Sequence, residues 1–501
     1  MPADIFMSFA YTLCEMKKLG KKCKDNVKLI KSILTSEDIL VFAFETADGA
    51  ACAAVYADGM TDKALLGEQI ARPLSAKEAP ASAEDAAKLL QAPEIKTESD
   101  LTKLADEVLS GNTVLFIDGV NEALVAGMKK LSMRAIMEPP GAVAVKGPRE
   151  GFIEDLKTNM SLVRNRLRTP KLQFKTLTAG KQSKTMIAVG YLEGIADENI
   201  VSEIVKKIES IDIDGIPDSS YVGKFLAERP DSLFKPAGTT EKPDVLAAKM
   251  LEGRVAVLVD GSPIVLTLPY LLVEDFQGAQ DYFVSPYRAS ISRLLRFLGV
   301  FVSIFLPAFY VAAQLFKLQI LPLSFLLTIS GSTQGIPLSP SLELFFLLLV
   351  LEILIEASVR MPKYVALALS VIGALVLGDT AVKAGIVSSS AIIIMALSGI
   401  SAYTVPDLVG TASILRIAFV VVAGSIGTYG VILMTALVLY YLVTSDAYGV
   451  PMLAPFSPLV RRDLKDSLMK TSMYSLDKRP KTFKTKNETR LQSGKREPKN
   501  G

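Results

Sequence analysis

The sequence predicts an α/β soluble head made of two related subdomains, followed by an all-α polytopic membrane domain. Three observations carry that fold class. The first 290 or so residues show ordinary globular patterning. Between Leu294 and Val443 the chain turns strongly apolar, with runs such as 344–351 (LFFLLLVL) and 391–397 (AIIIMAL). Two motifs of the first part each occur twice, in the same order. The expected domains are an N-terminal helical segment (1–34), α/β subdomains at 35–145 and 146–285, a transmembrane domain with five or six membrane segments (286–445), and a basic cytoplasmic tail (446–501).

The first repeat is Tyr56-Ala57-Asp58-Gly59-Met60-Thr61-Asp62, which returns as Tyr191-Leu192-Glu193-Gly194-Ile195-Ala196-Asp197. Each copy follows a strand-like run and precedes a helical pattern. Asp62 and Asp197 suit the N-terminal turn of that helix, where a carboxylate accepts free N–H groups. The second repeat runs from Leu109-Ser110-Gly111 to Asp118-Gly119 and returns from Leu251-Glu252-Gly253 to Asp260-Gly261. Gly111 and Gly253 follow helical stretches and suit a helix C-terminus. Asp-Gly between two short apolar runs reads as a type I′ hairpin turn. These roles account for the four aspartates without metal or catalysis. Arg164, Arg166 and Arg168 are candidate interface or lipid-headgroup contacts, with a solvated face as the plain alternative.

Composition excludes several classes. The chain has no histidine, which removes His-based triads and His-ligated zinc. It has no P-loop and no Gly-rich phosphate loop after a strand. No enzyme activity, cofactor or metal is expected. Cys14, Cys23 and Cys52 lack metal or disulfide spacing and suit a reducing compartment. No charged-then-apolar leader opens the chain, so no cleaved signal peptide is expected. The segment 461–501 carries 13 Lys/Arg against 5 Asp/Glu, while the first 290 residues are net acidic. The acidic head argues against nucleic-acid binding. The basic tail argues for a cytoplasmic position.

The apolar part divides by length and punctuation. Segment 294–316 is long enough to span and follows Arg288, Arg293 and Arg296, with Pro307 as a kink. Segment 320–330 is too short to span and reads as re-entrant or interfacial. Segment 342–358 ends at Arg360 and Lys363; 364–377 and 386–402 follow. The 31 residues of 413–443 are too many for one upright span. Gly424, Gly427 and Gly430 are candidate breaks that would fold it into a hairpin. The Gly-Ser-Ile-Gly-Thr-Tyr-Gly run at 424–430 is read as close helix packing rather than a potassium filter.

Charge inside this region is costly and therefore informative. Glu343, Glu352 and Glu356 are the candidate cation pathway. Glu352 and Glu356 are four apart and share a helical face. Glu343, nine residues before Glu352, is assigned to the same side. The alternative sets Glu343 and Glu356 at the interfaces and pairs Glu352 with Arg416, the candidate charge partner.

Further motifs carry a resemblance. They are 146–152 (KGPREGF), 211–216 (IDIDGI), 241–245 (EKPDV), 251–255 (LEGRV) and 449–456 (GVPMLAPF), with 463–466 (DLKD) and 478–481 (KRPK) in the tail. With them the chain resembles the A subunit of GerA-type spore germinant receptors, or the related A-subunit-like protein of the spore dipicolinate operon, over about 35–490. It departs at Phe316-Lys317-Leu318-Gln319, where members commonly carry His-Pro, and at Ser472-Met473-Tyr474, where many carry Trp. The resemblance implies a spore inner-membrane protein with a cytoplasmic head. It implies a permease-like B subunit and a lipoprotein C subunit as partners. It also implies a homo-oligomeric cation channel gated by nutrient. A secondary transporter and a non-conducting signalling scaffold are the alternatives; no membrane repeat of the kind transporters show is visible.

Overall fold

The computed structural model describes residues 19–92, 94–129, 146–316, 322–362, 365, 371 and 379–490. The chain divides into two compact units. The first, the head, holds most residues up to Tyr270 together with the tail residues Asp477–Arg490; the second is helical and takes Leu271–Leu476 with Asp231–Phe234.

The head contains two five-stranded antiparallel sheets of the same strand order. In the first subdomain, α1 (Cys23–Ile33) precedes β1 (Ile39–Glu45) and β2 (Ala51–Ala57). Helical turns over 63–75, α2 (Ala83–Leu89), β3 (Ile95–Glu98), α3 (Leu101–Leu109), β4 (Thr113–Ile117) and β5 (Ala123–Ala126) follow. The sheet order is β1-β2-β4-β5-β3. Every residue of β4 and β5 is buried. This is because the sheet is covered on both faces: Ile30, Leu104 and Val108 pack on one, Ile70, Leu74 and Ala86 on the other. Each fully buried Val, Leu or Ile side chain among them contributes about 1.5–3 kcal/mol.

The second subdomain repeats the plan. It runs α4 (Leu156–Arg166), β6 (Leu172–Ala179), β7 (Thr185–Leu192), α5 (Glu198–Glu209), α6 (Ser219–Leu226), β8 (Gly238–Thr240), α7 (Pro243–Leu251), β9 (Val255–Val259) and β10 (Val265–Leu268). Its order is β6-β7-β9-β10-β8. The match extends to single hydrogen bonds. Asn26 closes a loop on Gly20 through both its amide groups, and Asn159 does the same on Ile153. Asp62 and Asp197 accept backbone N–H groups at the next helix.

Two expectations change. The Asp-Gly pairs do not form two-residue type I′ turns. Only Gly119 and Gly261 have positive φ, at 91° and 84°, and longer loops join the strands. The aspartates serve instead as caps: Asp118 Oδ1 accepts from the Cys23 N–H at 2.8 Å, and Asp260 Oδ1 from the Leu156 N–H at 3.2 Å. Likewise α1, expected within an N-terminal segment, packs in the first core as the counterpart of α4.

The helical unit contains α8 (Pro286–Phe316), α9 (Leu323–Thr333), α10 (Pro340–Arg360), α11 (Ser389–Ala402), α12 (Val409–Ile426) and α13 (Thr428–Thr444). Among the described residues two helical stretches, Pro286–Phe316 and Pro406–Ile426, are long and apolar enough to cross a membrane; α11 and α13 are shorter apolar helices. Much of the 364–377 segment lies outside the described residues. The expected glycine break falls at Gly427, whose φ of 70° and ψ of −148° end α12 and start α13. Gly424 and Gly430 lie inside helices, at close contacts. A Cβ on Gly430 would sit 2.7 Å from Val422 Cγ1, so α13 folds tightly back on α12.

The tail expected at 446–501 divides. Up to Leu476 it groups with the helical unit; from Asp477 it groups with the head. There Phe483 is 1% exposed, with the Arg254 guanidinium 4.7 Å above its ring. Arg479 Nε donates to the Leu251 carbonyl at 2.8 Å, and Lys486 pairs with Glu198 at 2.9 Å.

Candidate functional site: buried charges among the apolar helices

The site begins with a proline. Pro307 lies inside α8 and has no N–H to offer the carbonyl four residues back, which is that of Ser303. Ser398 Oγ, on α11, donates to that carbonyl at 2.7 Å. Ser398 Oγ in turn accepts from Arg416 Nη1 at 3.3 Å. Arg416, on α12, is 1% exposed. Its Nη2 pairs with Glu352 Oε1 on α10 and donates to Ser413 Oγ. Ser413 Oγ also donates to Glu352 Oε1. One arginine thus ties four helices through the carbonyl that Pro307 leaves free, two hydroxyls and a carboxylate. Its Nε is buried without a hydrogen-bond partner.

Glu343 makes a second node. It is 1% exposed, and its Oε1 accepts from the Ser388 N–H at the start of α11. Free N–H groups at a helix start favour negative charge. Hydroxyls surround that start: Ser390 Oγ lies 2.7 Å from Tyr310 Oη, 3.1 Å from Ser332 Oγ and 3.2 Å from Ser388 Oγ. No lysine or arginine pairs with Glu343 among the described residues.

The expectation that Glu343 shares a side with Glu352 is corrected. Nine residues are two and a half helical turns, so Glu343 leaves α10 toward α11 while Glu352 leaves it toward α12. Glu356 is exposed and pairs with Arg360 on its own helix.

A third cluster stands where α8 begins. Arg293 is fully buried; its Nε donates to Asp281 Oδ2 at 3.0 Å and its Nη1 to Asp466 Oδ1 at 2.9 Å. Arg296 adds two bonds to Asp281, at 2.8 and 3.1 Å. Lys470 Nζ donates to the Asp281 carbonyl at 2.6 Å. At 31 residues α8 is about 46 Å long, against about 30 Å of bilayer hydrocarbon. Its charged first turns therefore have room outside the apolar layer.

In the head, Arg164 is 1% exposed and holds Asp38 with bonds of 2.6 and 2.7 Å, joining the two subdomains. It has no free surface for a headgroup. Arg166 pairs with Glu150 at 2.6 Å, and Arg168 donates to the Asn165 carbonyl. Sequence reading singled out Glu343, Glu352 and Arg416 but not Ser398 and Ser413, which bond Arg416, nor the Tyr310 hydroxyl near the start of α11. Only Ser303 had a signal, its place four residues before Pro307. Asp281 and Asp466, which hold Arg293, had none, because they lie far apart in the chain.

A duplicated α/β head followed by apolar helices that hold ion pairs defines the class: a two-part α/β region followed by a helical region. The chain belongs to the Bacillus/Clostridium GerA spore germination protein family, whose model matches residues 27–482. It is 34% identical to spore germination protein KA of Bacillus subtilis, over 92% of this chain and 86% of that one. It is 32% identical to spore germination protein B1 of Bacillus subtilis, over 92% and 97%. It is 31% identical to the membrane protein YfkQ of the same organism, over 93% and 92%. The crystal structure of the N-terminal domain of the A subunit of the Bacillus megaterium spore germinant receptor GerK3 covers 51% of this chain and 98% of its own, at 27% identity and a TM-score of 0.38.

Proposed function

We propose that this protein is the A-type membrane subunit of a spore germinant receptor and forms an oligomeric, nutrient-gated cation channel in the spore inner membrane. A permease-like subunit and a lipoprotein subunit complete the receptor. Family membership supports the germination role. The observation that supports conduction is the pair of carboxylates on α10, one buried and one partly exposed, held in two different ways.

Glu352 is neutralised by Arg416, which also binds Ser398 and Ser413. A buried pair of this kind locks helices together, and removing one member strands the other charge. Glu343 accepts the Ser388 backbone N–H instead. A carboxylate without a fixed counter-cation attracts a passing one strongly in a low-dielectric channel. Glu343 is therefore assigned to the pathway and Glu352–Arg416 to the lock that holds the bundle.

The tail supports a topology. Residues 477–490 pack within the head, so head and tail share one side of the membrane and an even number of crossings lies between them. The basic residues support a cytoplasmic position for that side.

The test is potassium release from nutrient-triggered spores, measured with receptor abundance in the same strains. Glu343→Gln is expected to slow release at least several-fold at normal abundance. Arg416→Leu is expected to deplete the protein from the membrane. Normal release from Glu343→Gln spores would rule out its place in the pathway. Normal abundance of Arg416→Leu would rule out the lock.

A further inference from the structure

The duplication lets one half of the head act as a guide to the other. In the second subdomain the outer edge of β6 is occupied. Arg164, in the last turn of α4, donates through Nη2 to the Leu172 carbonyl at 3.3 Å and grips Asp38. The Phe174 N–H donates to Ser36 Oγ at 3.0 Å, and the Thr176 N–H to Glu37 Oε2 at 2.7 Å. A turn of the first subdomain thus completes this edge with one hydroxyl and two carboxylates.

The first subdomain carries the same receiving parts. Lys31 stands in α1 where Arg164 stands in α4, and its Nζ donates to the Ile39 carbonyl at 2.5 Å, the match of Leu172. The Asp58 N–H bonds to the Asp38 carbonyl and the Thr46 N–H to that of Ala50. Bonded pairs alternate along an antiparallel ladder, so with the β1–β2 register the N–H groups of Val41 and Ala43 point outward, as those of Phe174 and Thr176 do. Nothing among the described residues takes them. Val41 is 36% exposed and Phe42 40%. An apolar edge strand with open donors is a feature that folded proteins ordinarily cover.

Charge selects the occupant. The turn of the second subdomain that matches 35–38 is Arg168-Thr169-Pro170-Lys171. In a second copy repeating the internal contact, Lys171 would meet Lys31 where Asp38 meets Arg164. Like charges there oppose such an assembly. We propose that the β1 edge, with Lys31 at its foot, is a docking site for a different polypeptide, which presents an acidic turn with a hydroxyl residue to Lys31 and to the N–H groups of Val41 and Ala43. Main-chain donors along the edge then supply affinity, and Lys31 supplies selectivity.

The test uses the full-length protein in detergent and two fluorescent peptides. One has the acidic sequence of 34–40 (LTSEDIL), the other the basic sequence of 167–172 (LRTPKL). The acidic peptide is expected to bind saturably. Lys31→Glu is expected to weaken it about tenfold or more. Ala43→Pro, which removes one outward donor where an edge strand tolerates proline, is expected to do the same with an unchanged melting temperature. Any of four results would overturn the proposal: no saturable binding, binding indifferent to both variants, loss only on Arg164→Gln, or preference for the basic peptide. The last would mean contact between copies.

Discussion

Asp58 shows how single residues hold the two halves of the head together. Burial works against its ionisation, but hydrogen bonds from Lys63 and from Lys157 of the second subdomain outweigh it. Its carboxyl therefore sits below the ordinary value of 3.8. Gly59 beside it allows the close approach: a Cβ there would lie 2.6 Å from the Lys157 carbonyl oxygen. A depressed carboxyl stabilises the fold at pH above its unfolded value and loses that contribution as pH falls through the folded one. The head of the wild type is accordingly expected to melt higher than that of Asp58→Asn at pH 6, with the gap closing below about pH 4. A gap that stays constant with pH would show that the contact acts by shape alone. At the same scale, Arg416 belongs with the buried ion pairs whose value lies in specifying one arrangement. Glu352, Ser398 and Ser413 offer acceptors at only one mutual setting of four helices.

At the scale of elements, the tail is the clearest case. Its composition reads as a solvated basic segment, and basic residues do dominate it. Yet Phe483 fills a buried position, and a Cβ on Gly253 would collide with Thr485. Gly253 has φ of 105°, so the bend that ends α7 also makes room for the tail. Phe483→Ala removes a buried aromatic and is expected to cost about 3–5 kcal/mol. Urea melts followed by a head probe would read this. An unchanged midpoint would mean the tail rests on the head without stabilising it. The α12–α13 hairpin makes a related point. Three glycines looked equivalent in sequence, and only Gly427 has a conformation that side chains rarely adopt. The other two are needed for proximity: a Cβ on Gly424 would lie 2.7 Å from Ser341 Cβ on α10.

For the whole molecule, the packing of the tail within the head makes a statement about topology. Single cysteines introduced at Lys481, in the tail, and at Lys206, in the head, are expected to be labelled together. Both should react with an impermeant thiol reagent only after vesicles are opened. Labelling of one without the other in sealed vesicles would place them on opposite sides and exclude the docked tail. The native Cys23 and Cys52 are both buried, with their thiols pushed up to about 11 and about 12 chiefly by desolvation. They are therefore poor nucleophiles near neutral pH, and the third native cysteine, Cys14, is replaced by serine in both variants.

Sequence by itself determined the division into head and apolar region, the duplication of the head, the capping aspartates Asp62 and Asp197, and the identity of the costly charges Glu343, Glu352 and Arg416. These are local or compositional signals. A cap needs its own helix, an apolar run needs only its length, and a charge is conspicuous where its neighbours are apolar. Tertiary structure alone decided which partner each charge has. It put Asp118 on Cys23, Arg164 on Asp38, Glu343 on the start of α11, and Ser398 on the carbonyl that Pro307 leaves free. It also decided that the tail packs in the head and that the β1 edge is left open among the described residues. The reason is physical: a buried polar group must find whatever donor or acceptor the packing brings within about 3 Å, and residues a hundred positions apart carry no mark of that meeting in their own neighbourhoods.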